Sequence, residues 1–132
     1  MTGIYLDHNA TTKPLPEVLA AMADCPFGNP SSLHGFGQEA RRVLDAARTS
    51  VATLLGAESG EILFTSGGTE SDNHALLGLA SGTSSPGHIA VSAIEHSAIL
   101  DTCRFLEEHG WRISYIPVDP EGILKSAALD AA

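Results

Sequence analysis

Apolar residues recur along this chain with two periods. Phe36, Ala40, Val43, Leu44, Ala47, Val51, Leu54 and Leu55 fall on one face at helical spacing, and Gly56 follows as a stop, predicting a helix over about Phe36–Leu55. The same period predicts helices at Thr69–Leu79, with Leu76 and Leu77 facing a core, and at Ser97–His109, ended by Gly110. A shorter helix near Glu17–Met22 follows Pro14 and Pro16, Pro16 being suited to a first turn. Short apolar runs predict strands at Ile62–Thr65, His88–Ile94 and Trp111–Ile116, with a further short one at Ile4–Leu6. Polar turns at 7–12 and 118–122 and Gly-, Pro- and Ser-rich links at 25–34 and 81–87 separate them, and Lys125–Ala132 reads as a helix beginning.

Strands alternating with helices at these lengths imply right-handed βαβ units, an α/β class and a mostly parallel sheet with flanking helices. Parallel strands need cover on both faces, yet only three are convincing, and the final Leu129-Asp130-Ala131-Ala132 stops in mid-pattern. The expectation is the front part of a larger domain. Uncovered strand edges and helix faces predict that the chain alone associates or dissolves poorly, despite its charge.

The formal net charge of −9 over 132 residues argues against a nucleic-acid partner, whose binders carry basic patches. Arg41, Arg42 and Arg48 form the only basic cluster and read as the solvated face of one helix. No apolar run nears the roughly 20 residues of a membrane span, and the N-terminus has no signal-like core, so no membrane and a cytoplasmic location are expected. Cys25 and Cys103 match no CxxC pattern and read as two free thiols.

Chemistry concentrates where strands meet helices. Ser66-Gly67-Gly68-Thr69 lies between a predicted strand and a predicted helix. Unpaired N–H groups and the positive dipole end of a helix bind anions there, so the loop is either a phosphate seat or an ordinary glycine turn. It is no Walker loop, because no lysine follows the glycines. Gly35-Phe36-Gly37-Gln38-Glu39-Ala40 matches a dinucleotide-binding pattern on paper, but Asn29-Pro30-Ser31-Ser32 precedes it instead of a buried strand. His96 ends the second predicted parallel strand, where its ring could stack on an aromatic cofactor, move a proton, or simply be solvated. The six histidines show no metal-ligand spacing, so no metal is expected, and Lys13 and Lys125 read as surface residues.

Four stretches in register resemble the cysteine desulfurases, pyridoxal-phosphate enzymes of the aspartate-aminotransferase fold (fold type I) and the class V aminotransferase group. They are Tyr5–Thr12, Gly28-Asn29-Pro30-Ser31-Ser32-Leu33-His34, Phe64–Asn73 and Glu95-His96-Ser97-Ala98-Ile99-Leu100. The second is more similar to the branch serving nitrogenase and general iron–sulfur assembly. The resemblance implies that Gly68 and Thr69 hold the cofactor 5′-phosphate. It also implies that His96 stacks on the pyridine ring and has a catalytic, proton-shuttling part. Residues 1–16 would then border the active site, and 17–132 would be an incomplete large cofactor-binding domain.

The family's reaction takes sulfur from L-cysteine, leaving L-alanine and an enzyme persulfide for acceptor proteins, in a homodimer when complete. The Schiff-base lysine, the aspartate on the pyridine nitrogen, the substrate-carboxylate arginine and the loop cysteine have no match here. Lys125 does not stand in the lysine's place, nor Cys25 or Cys103 in the cysteine's, and Cys103 sits with Ile99, Leu100 and Leu106 on an apolar helix face. The chain by itself is therefore expected not to desulfurate cysteine. Another class V aminotransferase, a selenocysteine lyase, or a non-catalytic truncated or split subunit are the alternative readings.

Overall fold

A computed structural model describes residues 3–132, and the chain divides into two compact units, one ending at Leu63 and the other spanning Phe64–Ala132.

The first unit is helical. Helix α1, Pro16–Ala23, begins with Pro16 in its first turn, where the missing N–H costs nothing, and Asp24 closes it through a bond from its N–H to Ala20 O. Helix α2, Gly35–Leu55, is capped at its start by His34, whose Nδ1 accepts from Gly37 N–H at 3.4 Å, and ends at Gly56 with φ 67°. A short 3-10 turn at Ser59–Glu61 follows, closed by Glu61 reaching back to the Glu58 N–H at 2.8 Å.

The Gly-x-Gly pattern at the start of α2 answers to packing. A Cβ on Gly37 would overlap Ser32 O and come within 2.7 Å of Asn29 O, and one on Gly28 would overlap the Phe36 carbonyl. The loop at 28–32 thus lies backbone against backbone on the first turn of α2, which only glycine allows at both contacts.

Two predicted strands are absent. Residues 4–6 run without β pairing, Ile4 and Leu6 being 89% and 87% exposed, while the Tyr5 hydroxyl faces Asp7 O at 2.8 Å and Thr11 O at 3.0 Å. The segment closes on itself instead of joining a sheet. Residues 62–65 are likewise in no strand: Ile62 has extended dihedrals (φ −96°, ψ 119°), but the segment has no ladder partner among the described residues. An apolar run becomes a strand only when another strand satisfies its N–H and C=O groups. Arg48 also differs from the solvated reading, since its Nε donates to Ile62 O at 3.2 Å and ties α2 to that segment.

The second unit is a βαβ unit with a helix before it. Helix α3 spans Gly68–Ser81, strand β1 His88–Ser92, helix α4 Ser97–Glu108, strand β2 Arg112–Ile116 and helix α5 Ser126–Asp130. Strands β1 and β2 pair in parallel, with His88 opposite Arg112, Ala90 opposite Ser114 and Ser92 opposite Ile116. Strand β1 stops two residues short of the predicted Ile94, because Glu95 N–H turns back to Ser92 O at 3.4 Å. Helix α4 makes the crossover, packing on β2 and α3. Val91, Ala98, Cys103, Leu106 and Ile116 form the core. Cys103 is fully buried, as its place on the apolar face of α4 required, whereas Cys25 is exposed; both thiols are free. Lys13 and Lys125 are exposed.

Candidate functional site

The Ser66–Thr69 loop opens α3. Gly67 is the N-cap residue and supplies no side-chain cap, so Gly68 and Thr69 are the first two residues of the helix. The first intrahelical bond runs from Ser71 N–H to Gly67 O at 3.1 Å, leaving the N–H groups of Gly68 and Thr69 ahead of it at the positive end of the dipole. Gly67, Gly68 and Thr69 are exposed, and a Cβ on either glycine would meet nothing within 4 Å.

Short polar side chains hold the loop. The Glu70 carboxylate accepts from Ser66 N–H at 2.7 Å and from the Ser66 hydroxyl at 2.5 Å, and these bonds hold its pKa below the usual carboxylate value. Thr65 Oγ1 and Ser71 Oγ lie 2.6 Å apart, each 3.2 Å from Gly67 O. These bonds shape the loop, and Glu70 has its own donors at Ser66.

His96 takes a place that the sequence reading missed. It is the N-cap of α4, and its Nδ1 accepts from Ala98 N–H at 3.1 Å. Accepting at Nδ1 fixes the neutral ring in the tautomer with its proton on Nε2. The ring is exposed. His96 thus stands at a helix start after β1, as Thr69 stands at a helix start after Ser66–Gly67.

Two more residues escaped the motif search. Asn73 Nδ2 donates to Thr69 O at 2.8 Å, and its Oδ1 faces the Thr102 hydroxyl at 2.8 Å; Thr102 is 5% exposed. The available signals were the i, i+4 spacing of Thr69 and Asn73 and a lone threonine in the apolar stripe of α4. Thr69, Asn73 and Leu77 of α3 face Ala98, Thr102 and Phe105 of α4 across a groove of about 370 Å³. Thr69 and the first turn of α4, two residues beyond His96, therefore border one groove. Asn9–Thr12, which the resemblance also placed near the site, belong to the first unit and form a turn with Ala10 N–H on Asp7 O at 3.2 Å.

This donor set suits one end of a phosphorylated aromatic ligand. Two backbone N–H groups and the Thr69 hydroxyl match phosphate oxygens, and the open space over Gly68 admits them. An exposed, oriented imidazole matches an aromatic face. Lys125, by contrast, borders a different groove, with Pro117, Asp119 and Ala128.

Residues 4–132 match the model of the aminotransferase class-V family. Cysteine desulfurase IscS of Dictyoglomus turgidum is 50% identical over 125 residues, which cover 92% of this chain and 32% of that protein. The solved structure of a NifS-like protein superposes with a TM-score of 0.88 at 38% identity, covering 97% of this chain and 36% of its own. That of SspA in complex with cysteine has the same TM-score at 36% identity, covering 97% and 38%. The chain spans about a third of the length of the curated relatives it matches. The chain therefore belongs to the aminotransferase class-V family.

Proposed function

We propose that this chain carries the cofactor-anchoring part of a pyridoxal-phosphate-dependent cysteine desulfurase. The observation that carries the reading is the pairing of two helix starts in one unit, an uncapped one bearing Gly68 and Thr69 and one capped by His96. The N–H groups of Gly68 and Thr69 and the Thr69 hydroxyl bind the 5′-phosphate, and the dipole of α3 favours its charge. Glu70 keeps the loop in shape by holding Ser66. His96 lies against the pyridine ring, with Nε2–H the nitrogen free of the cap and available for proton transfer. When bound, pyridoxal phosphate supplies an electron sink for carbanion chemistry at the substrate α-carbon.

On this reading residues 1–16 border the active site and 17–132 are part of the large domain. The whole protein is a cytoplasmic homodimer that passes sulfur from L-cysteine to acceptor proteins for iron–sulfur cluster assembly. Among the described residues no helix is long and apolar enough to cross a membrane. The chain by itself supplies neither a lysine at the cofactor nor a mobile-loop cysteine, and it releases no sulfide or alanine from L-cysteine.

Pyridoxine 5′-phosphate tests the site cleanly, because it lacks the aldehyde that would react with Lys13 or Lys125. Added to the 132-residue chain, it is expected to shift the Gly68 and Thr69 amide resonances, while pyridoxine without phosphate leaves them in place. Thr69→Val is expected to weaken binding about tenfold, one charge-assisted hydrogen bond being worth about 1.5–3 kcal/mol. Equal responses to both compounds would remove the phosphate seat from the proposal.

A further inference from the structure

We infer that Asn73 and Thr102 are positioning residues that set the separation between the phosphate seat at Thr69 and the ring of His96. The inference rests on the reading above and concerns side chains that touch neither end of the cofactor.

Donor and acceptor chemistry fixes the orientation of each group. Thr69 C=O can only accept, so the Asn73 amide must turn its Nδ2 toward it, as the 2.8 Å contact requires. That leaves Asn73 Oδ1, an acceptor, facing Thr102 Oγ1 at 2.8 Å, so the hydroxyl must supply the proton. Thr102 Oγ1 also lies 2.8 Å from Ala98 O, and its single proton is shared between the two acceptors. Ala98 in turn donates its N–H to His96 Nδ1. A continuous run of polar contacts, passing through the backbone of Ala98, therefore joins Thr69 to the imidazole by way of Asn73 and Thr102.

Its position gives this run mechanical weight. Thr102 and Ala98 are buried, at 5% and 9% exposure, so the shared proton sits at low local dielectric. The run crosses between α3 and α4 near their N-terminal turns, where the two ligand-facing groups stand. Leu77 and Phe105, further along the same groove, supply apolar contact surface without directional bonds. Orientation at the site end is thus set by the amide and the hydroxyl, since hydrogen bonds constrain geometry where apolar contacts do not. A ligand held at one end only is indifferent to the spacing; one held at both ends is not.

Two ligands separate these cases on the full 132-residue chain. Inorganic phosphate occupies only the seat, and pyridoxine 5′-phosphate needs the seat and the imidazole together. Thr102→Val keeps the side-chain shape and removes the hydroxyl, while Thr102→Ser keeps the hydroxyl. With Gly68 and Thr69 amide shifts as readout, Thr102→Val is expected to weaken pyridoxine 5′-phosphate about tenfold and leave inorganic phosphate within about twofold, with Thr102→Ser near the parent for both. Far-UV circular dichroism and Trp111 fluorescence establish that each variant is folded, and Asn73→Ser repeats the test from the other side of the bond. Unchanged pyridoxine 5′-phosphate binding in folded Thr102→Val overturns the inference. A parallel loss of both ligands also overturns it, marking the pair as general structural support. A parent chain whose amides respond to neither ligand overturns the phosphate reading itself, and this inference with it.

Discussion

Helices α2 and α4 are written with much the same amphipathic alternation, and the structure treats them oppositely. Helix α4 buries Ala98, Thr102, Cys103 and Leu106, packing on β2 and α3. Helix α2, nearly twice as long, buries only Gly37 and Ala52 and leaves Phe36, Leu54 and Leu55 at 70%, 84% and 68% exposure. Periodicity therefore specifies a helix and the face that needs cover; it does not supply the cover. For α4 the cover lies in the neighbouring strands of its own βαβ unit. For α2 the described residues of its own unit offer the glycine-tight loop at one end and the 3-10 turn and Arg48 near the other.

Matched truncations separate the two helices most strongly. Leu106→Ala, at 4% exposure, is expected to cost about 2–4 kcal/mol, whereas Leu54→Ala is expected to stay within about 0.5 kcal/mol. Urea unfolding measures both, with Trp111 fluorescence reporting the second unit and helical circular dichroism, to which both units contribute, reporting the first by difference. A Leu54→Ala penalty as large as that of Leu106→Ala would mean that α2 is covered in solution.

Next in size is association through that bare face. The parent chain is expected to self-associate as concentration rises, and Leu54→Lys with Phe36→Gln to weaken this about tenfold, a loss of apolar burial worth about 1.4 kcal/mol. Sedimentation velocity reads the change, and a monodisperse parent at high concentration would contradict it.

The buried thiol sharpens the contrast from the α4 side. Burial, then the charge of Glu107, pushes the Cys103 thiol above its ordinary value. The folded chain holds that proton more tightly than the unfolded one. Its contribution is full below the ordinary thiol value and drains as pH rises through the raised folded value. The urea midpoint of the parent should therefore fall more steeply on the alkaline side than that of Cys103→Ala, and thiol reagents should reach Cys25 long before Cys103.

The smallest effect belongs to the exposed loop. Because Ser66 depresses the Glu70 pKa, the carboxylate's contribution is present above the ordinary carboxyl value and is lost as pH falls through the depressed one. The Ser66 amide resonance should titrate with a midpoint below that of a free glutamate side chain, and Glu70→Gln should abolish the transition.

Much of this was legible in the sequence for a physical reason. Helices α2, α3 and α4 and strands β1 and β2 are specified by local period, capping and glycine stops, and their bounds fall within two residues of expectation. The strands expected at residues 4–6 and 62–65 were not legible, because pairing is a property of two segments and a run such as Ile62-Leu63-Phe64 carries only half of it. At the candidate site, the helix start at Gly68 and Thr69 could be read from glycine and hydroxyl chemistry. The cap made by His96 and the bond between Asn73 and Thr102 could not, since each depends on a rotamer or on two helices meeting 29 residues apart.

The glycines of the chain carry two different kinds of information, and a saturation library would separate them. At codons 28 and 37 the space for a side chain is already filled by carbonyl groups, so variants there leave the pool sorted for folding. At codon 68 the space is empty, so variants pass that sort, and under the proposed phosphate seat those bulkier than alanine drop out in a second one for phosphate binding. Two rounds of selection on one gene would thus distinguish glycines that pack backbone against backbone from one proposed to leave room for a phosphate.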